Sequence, residues 1–215
     1  MQKFWGLILL TLIGFSLKSQ NDYITSQYKK FSVFYNQGDL INAEQILLEV
    51  LDCKDSISQA YIVATYNNLG VVNNLLGRYD KALEFINQAE SVLVVQGGSV
   101  ELADVYINKA RNYGIIKEYG KAIDFLNQAL KFYQTQPKPS KNIYYKISTG
   151  YLNLGLTYYE KGEFSNALKY LHQSCNLKEK HNLTEKALVY LNLAKVYVKL
   201  ADKVNAEKYF LKSIE

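Results

Sequence analysis

The chain has 215 residues, 48% of them hydrophobic, with 25 Lys and Arg against 20 Asp and Glu, two His and two Cys. A net charge of +5 is far below the dense basic stripe that a nucleic-acid binder needs. The excess is also uneven, because residues 21–140 carry 11 basic and 13 acidic side chains and residues 141–215 carry 12 and 7. The second half is mildly basic, which a solvated, lysine-rich helix surface accounts for and which also suits an acidic peptide or an anionic surface.

Residues 1–20 stand apart from the rest. Lys3 precedes an apolar run from Phe4 to Leu17, and Ser19 offers a small residue before the polar Asn21 and Asp22. This is the pattern of a secretory signal, so the mature protein is expected to be exported, to the periplasm of a bacterium. The run of 14 residues is shorter than the roughly 20 that span a bilayer as a helix, and a membrane anchor over 4–17 is the alternative.

From Asp22 onward one frame repeats. Ala43, Ala82, Ala122, Ala167 and Ala206 follow one another at 39, 40, 45 and 39 residues. Four places after each stands a large apolar residue, Leu47, Ile86, Leu126, Leu171 and Phe210, and seven places after it a smaller one, Val50, Ala89, Ala129, Ser174 and Ser213. Offsets of four and seven share one side of a helix, so each alanine opens an amphipathic helix, B. Twelve places before it come Phe31, Gly70, Ala110, Gly155 and Ala194, and nine before it Phe34, Asn73, Tyr113, Tyr158 and Tyr197. Sixteen before it, Tyr66, Tyr106, Tyr151 and Tyr190 recur in the last four repeats. These places fall within a narrow arc and form the buried stripe of a second helix, A, whose small residues let A and B approach closely.

Turn signals separate A from B at Gln37-Gly38-Asp39, Gly77-Arg78, Glu118-Tyr119-Gly120 and Lys161-Gly162-Glu163, with a weaker one at Ala201-Asp202. Pro137 and Pro139 fall in the Gln134 to Asn142 connection and account for the interval of 45. The first repeat departs from the frame at Gln27, Lys30 and Phe31, and a polar-faced terminal repeat is what an array needs as a cap.

In combination these signals, such as Leu69-Gly70 with Gly77, Tyr79, Ala82 and Ala89, or Leu154-Gly155 with Tyr158, Gly162, Phe164 and Ala167, resemble a tetratricopeptide-repeat (TPR) protein. The repeats exceed the usual length of about 34 residues and are similar to the longer kind found in kinesin light chains and bacterial sensor regions. The proline common near the end of helix B is missing. The resemblance implies an all-α fold, a right-handed superhelical solenoid of about five antiparallel helix pairs over 21–215. The repeats are placed at about 22–55, 56–98, 99–140, 141–181 and 182–215.

Fourteen places before the alanine, the last four repeats carry Asn68, Asn108, Asn153 and Asn192, about 160° around helix A from its small residue and so away from the A/B seam. Asparagine is a mediocre helix former, and propensity does not explain its recurrence. The resemblance implies that this face lines a concave groove, where such asparagines form a ladder that hydrogen-bonds an extended peptide. An amide offers both the donor and the acceptor that a peptide backbone needs. Arg111, Lys195 and Lys199 share the face and would add charge selectivity. The alternative is that the amides tie neighbouring A helices together. The remaining residues of the face, among them Asp104, Ile115, Leu156 and Glu160, do not reproduce the basic clamp with which some TPR cochaperones grip a carboxylate.

Catalytic chemistry is absent from the sequence pattern. His172 and His181 stand nine residues apart with no metal-ligand spacing around them, and no P-loop, dinucleotide-binding loop or nucleophile elbow is present. Asp52 and Asp55 read as a helix end and the cap that follows. Cys53 and Cys175 fall on B helices three repeats apart, on the order of 30 Å, whereas a disulfide spans at most about 7 Å between Cα atoms. Both read as packing residues, with an intermolecular bridge or a free reactive thiol as the alternative. The expectation is therefore a binding scaffold without cofactor, metal or catalytic residues, whose partner is a protein or extended peptide and not nucleic acid or a small-molecule substrate. The alternative is the N-terminal sensory part of a truncated bacterial signalling protein, a histidine kinase or helix-turn-helix regulator. Because the sequence stops at Lys212-Ser213-Ile214-Glu215, within a B helix, self-association through the last repeat is expected as well.

Overall fold

The computed structural model describes residues 21–95 and 100–214. The expected signal segment, 1–20, lies outside the described residues. These are helical throughout: α1 (21–36), α2 (Leu40–Leu51), a short 3-10 turn (Lys54–Ser56), α3 (Gln59–Leu75), α4 (Tyr79–Val94), α5 (Val100–Ile115), α6 (Tyr119–Gln134), α7 (Lys141–Glu160), α8 (Phe164–Lys180), α9 (Lys186–Lys199) and α10 (Lys203–Ile214). No strand occurs among the described residues, and no helix there is long and apolar enough to cross a membrane. The odd-numbered helices are the A helices and the even-numbered ones the B helices.

The chain forms two compact units, Met1–Val92 and Leu93–Glu215. In the first, Phe31, Ala43, Leu47, Leu69 and Val72 form one buried cluster that binds α1, α2 and α3 together. In the second, α5 packs on α6, α6 on α7, and so on to α10, while the A helices α5, α7 and α9 also touch in succession. Its C-terminal half is built around Leu152, Ala167, Leu171, Cys175, Val189, Leu193 and Val196.

All five frame alanines are buried, as are Leu47, Ile86, Leu126 and Leu171 four places on. Phe210, the fifth of that series, is 40% exposed and shares the surface of α10 with Val204, Leu211 and Ile214. The small residue of helix A has a steric reason. A Cβ added to Gly70 would lie 2.5 Å from Ile86 Cγ1, and one on Gly155 2.6 Å from Leu171 Cγ, each also 3.3 Å from the carbonyl oxygen of the frame alanine.

Tyr106 apart, which is buried, the tyrosine stripe is half-buried, and it packs against a second set of rings. Phe85, Phe125, Tyr170 and Tyr209 stand three places after the frame alanines. Tyr113, Tyr158 and Tyr197 stack on Phe125, Tyr170 and Tyr209 with centroids 5.4–5.7 Å apart and planes within 6° of parallel. From the other side Tyr106, Tyr151 and Tyr190 approach the same rings at 5.4–6.2 Å. Each of these three repeats thus carries a row of three aromatic rings, arrangements that contribute about 0.5–1.5 kcal/mol per pair beyond their area. The first repeat also differs from expectation. Gln27 faces inward and is buried, its amide donating to Tyr23 Oη and Glu49 Oε2 at 2.9 Å, so it is not part of a polar outer face.

The A-to-B turns share one construction. Five places before the frame alanine, Gly38, Gly77, Lys117, Gly162 and Ala201 all have φ between 58° and 84°. The N–H of the residue after each, from Asp39 to Asp202, closes helix A on the carbonyl five places earlier, at 2.8–3.0 Å. That same residue's carbonyl accepts from the frame alanine at 2.9–3.1 Å. In the third repeat the left-handed residue is therefore Lys117, and Gly120, expected in the turn, lies inside α6. A side chain in the left-handed region costs roughly 1–2 kcal/mol, partly offset by the greater entropy that glycine loses on folding. Lys117→Gly and Ala201→Gly are each expected to raise stability by about 0.5–1 kcal/mol, seen as a higher urea midpoint. An unchanged midpoint would mean that these turns carry no strain in solution.

Candidate functional site

The face of helix A that the asparagines mark is exposed as a surface of the second unit along α5, α7 and α9. A groove of about 390 Å³ opens between α5 and α7. Ala110, Arg111, Gly114 and Ile115 form one wall, Asn153, Leu156, Thr157 and Glu160 the other, and Leu126 lies at its floor. The same frame positions between α7 and α9, lined by Leu156, Tyr159, Asn192 and Lys195, enclose only about 10 Å³. The structure thus brings Arg111 together with Asn153, and Asn192 with Lys195.

The four asparagines are not equivalent. Asn68 of α3, in the first unit, and Asn153 are half-buried, and neither amide bonds a described residue. Asn108 is half-buried and already engaged within the protein. Asn192 is only 8% exposed and its Nδ2 donates to the Leu188 carbonyl one turn earlier in the same helix, at 2.8 Å. One of its two N–H donors is thereby spent within its own helix rather than on a neighbouring A helix. Thr157 likewise turns its hydroxyl back to the Asn153 carbonyl at 2.8 Å, which leaves the Asn153 side chain as the groove's open amide.

Charge along this surface is set by what is already spent. Arg111, Lys195 and Lys199 are exposed and make no ion pair among the described residues. Asp104, on the same face, is consumed: one carboxylate oxygen accepts from Tyr133 Oη and the other from Lys146 Nζ, both at 2.5 Å. Burial first, then the hydrogen bond to Asp104, push the Tyr133 phenol far above its ordinary range, so it stays a donor. Glu160 is the one carboxylate lining the groove, opposite Arg111 and Lys117. An anionic ligand fits this balance better than a cationic one.

Two charged clusters were not foreseen. Glu44 of α2, 9% exposed in its side chain, accepts from Asn73 Nδ2 at 3.0 Å and from Arg78 Nη1 and Lys81 Nζ at 2.7 Å. Lys178, 1% exposed, donates to the Thr184 carbonyl at 2.8 Å and sits 4.8 Å from the centroid of the Tyr145 ring. Burial lowers its pKa, and Glu185, 3.8 Å away, opposes that shift. These side chains hold helices and a loop in place. A frame alignment finds Lys178 at the position of Leu93 and Tyr133, eleven places after the alanine, which is the signal that it points inward.

The histidines pack against rings: His172 Nε2 is 2.9 Å from Tyr197 Oη, and His181 stacks on Tyr144 at 3.7 Å between centroids. Both cysteines are free. Cys53 lies just beyond the end of α2 rather than on it, and burial pushes the Cys175 thiol up to about 11.

Models of the tetratricopeptide repeat match residues 61–135, 149–182 and 187–215. No curated protein matches the chain at a significant level. Among solved structures, BtubC (BKLC) from P. vanneervenii is 18% identical with a TM-score of 0.73, covering 92% of this chain and 87% of that one. A Rap protein complexed with competence and sporulation factor is 17% identical with a TM-score of 0.73, over 87% of this chain and 52% of that one. A Signal Transduction ATPase with Numerous Domains (STAND) protein with a tetratricopeptide repeat sensor, from Pyrococcus horikoshii, is 15% identical with a TM-score of 0.77, over 92% of this chain and 30% of that one. The chain thus spans about half of the Rap protein and under a third of the STAND protein, and at these identities the likeness is one of fold. Repeat frame, helix pairing and the three family matches agree: the chain belongs to the tetratricopeptide-repeat family, whose fold is a scaffold suited to protein–protein interaction.

Proposed function

We propose that this chain is an exported scaffold that holds an extended peptide or protein segment along the A-helix surface of α5, α7 and α9. The observation that carries the reading is the groove between α5 and α7, open where its neighbour is closed and bordered by an uncommitted amide, Asn153, and an uncommitted guanidinium, Arg111. Asn68, Asn108 and Asn192 and the cations Lys195 and Lys199 extend the reading to the rest of the A-helix faces. Binding by a similar fold supports it, since the Rap neighbour is complexed with competence and sporulation factor. Export rests on Lys3 and the apolar run from Phe4 to Leu17. The exposed Val204, Leu211 and Ile214 of α10 offer a further surface for self-association.

The second reading, a sensory part of a larger signalling protein, is favoured by the STAND neighbour, in which the repeats are the sensor. It shares the same groove and differs in what the repeats report to.

Replacing Asn153 and Arg111 together by alanine is expected to weaken capture of an extended peptide by about tenfold to a hundredfold, from the loss of one amide pair and one charged hydrogen bond. Asn68, Asn108 and Asn192 changed to alanine are expected to add less, with Asn192 affecting stability more than binding. Titration of a fluorescent peptide selected on the wild-type protein, beside circular dichroism of each variant, measures both. Unchanged affinity in the Asn153 and Arg111 variant would remove the groove from the reading.

A further inference from the structure

Gly114 stands eight places before its frame alanine, where the other repeats carry Tyr35, Asn74, Tyr159 and Val198. A Cβ built on it meets nothing within 4 Å, so no close approach of helices requires glycine there, in contrast to Gly70, Gly150 and Gly155. Glycine in a helix also lowers its stability, so local structure gives no reason for it either.

Its consequence is visible in the two successive gaps between A helices. Between α7 and α9 the Tyr159 side chain helps fill the frame-equivalent space to about 10 Å³; between α5 and α7, where Gly114 takes that place, about 390 Å³ is left open. The wall that receives the ring is nonetheless present. Tyr159 meets Phe164 with centroids 5.7 Å apart and planes at 59°, and the frame equivalent of Phe164 in the third repeat is Tyr119, which lines the open groove. Leu126, the counterpart of Leu171, closes the floor. The site therefore keeps the aromatic and aliphatic surfaces that hold Tyr159 in the next repeat and omits the ring itself.

We infer that the gap over Gly114 receives an aromatic side chain from an acidic peptide segment, so that the ligand supplies the ring which the chain supplies for itself at Tyr159. The acidic flank follows from Arg111 and Lys117 at the rim, opposed by Glu160 alone, and from the exposed Lys195 further along the surface. The inference rests on the peptide-binding reading above and adds to it the residue class that is selected and the place where selection occurs.

The test is a displayed library of random heptapeptides selected in parallel on the full-length wild-type protein and on Gly114→Tyr. On the wild type, sequences with phenylalanine, tyrosine or tryptophan at one fixed place and aspartate or glutamate beside it are expected to be enriched at least tenfold. That enrichment should be lost on Gly114→Tyr, whose own ring occupies the gap, and kept on Gly114→Ala. Circular dichroism and the urea midpoint establish that both variants fold. Enriched peptides without an aromatic place, or the same peptides from wild type and Gly114→Tyr, would overturn the inference while leaving the groove a peptide site. Enrichment of no peptide by the wild type would overturn the peptide-binding reading and this inference with it.

Discussion

Replacing Gly155 by valine is expected to cost about 3 kcal/mol of stability, and by alanine about 1 kcal/mol. The difference comes from two opposed terms. Any side chain here brings its Cβ within 2.6 Å of Leu171 Cγ and 2.8 Å of Leu171 Cδ2, which can yield, and within 3.3 Å of the Ala167 carbonyl oxygen, which is backbone and cannot move without parting α7 from α8. Overpacking of this kind costs typically about 1–3 kcal/mol. Alanine recovers about 1 kcal/mol of helix propensity over glycine and valine recovers less, while valine adds two methyl groups to the collision. Urea unfolding followed at the helical dichroism band measures both variants. Combining Gly155→Ala with Leu171→Ala should cost less than the sum of the two single changes, because the truncated Leu171 makes room for the new methyl group. A Gly155→Ala variant more stable than wild type would show that Leu171 adapts without strain and that the small residue is not what sets the distance between α7 and α8.

The second large effect is expected at Glu44. Its carboxylate gathers Asn73, Arg78 and Lys81 and so ties α2 to α3, to α4 and to the turn between those two. Glu44→Ala should cost about 2–3 kcal/mol, near the upper end for hydrogen bonds to a charged group. The larger cost of breaking a fully buried pair does not apply, since Arg78 and Lys81 are each 43% exposed and water can receive them. Asn73 is the member left worse off, because it is fully buried and keeps only the Leu69 carbonyl as an acceptor for its amide. Burial pushes the Glu44 carboxyl up, but the hydrogen bonds from Lys81, Asn73 and Arg78 outweigh it and hold the group below its ordinary value of 4.5. A depressed carboxylate contributes stability that is fully present above pH 4.5 and is lost as the pH falls through the lowered value. Urea midpoints of the wild type should therefore fall on acidification below pH 4.5, and those of Glu44→Ala should fall less. Parallel acid profiles for the two proteins would contradict this role.

Most of the fold was legible because its determinants lie at fixed offsets within one contiguous repeat. The buried alanine, the apolar residue four places on and the small residue twelve places before are all local in sequence and need no knowledge of distant contacts. The turns were legible where glycine announced the left-handed residue, as at Gly77 and Gly162, and misread at Lys117, where an ordinary side chain takes that conformation and a nearby glycine drew the eye to Gly120. The site was legible in outline only. A periodic asparagine shows which face a helix presents, but whether its amide is free depends on rotamer choice, and Asn192 is buried with one of its donors spent on its own helix. Glu44 escaped notice because a carboxylate beside a frame alanine looks like a solvated residue until Asn73, 29 residues away, closes over it. Gly114 was hardest to see, since what matters there is a side chain that other repeats have and this one lacks.

The five A-to-B turns each occupy three residues, between 36 and 40, 75 and 79, 115 and 119, 160 and 164, and 199 and 203. The described joints from helix B to the next helix A, 52–58, 135–140 and 181–185, vary from five to seven. Since one residue in each turn both finishes the first helix and begins the second, an inserted residue there would part the two hydrogen bonds that this residue makes and move the frame alanine out of the seam. Length changes elsewhere: helix A runs from 14 residues in α9 to 20 in α7, and it is the long α7, more than the proline-bearing joint expected from the sequence, that makes one interval 45 residues long. Each A-to-B hairpin is thus an indivisible piece, and an added epitope or label belongs at the Gln136–Pro139 joint rather than at any of the glycine turns.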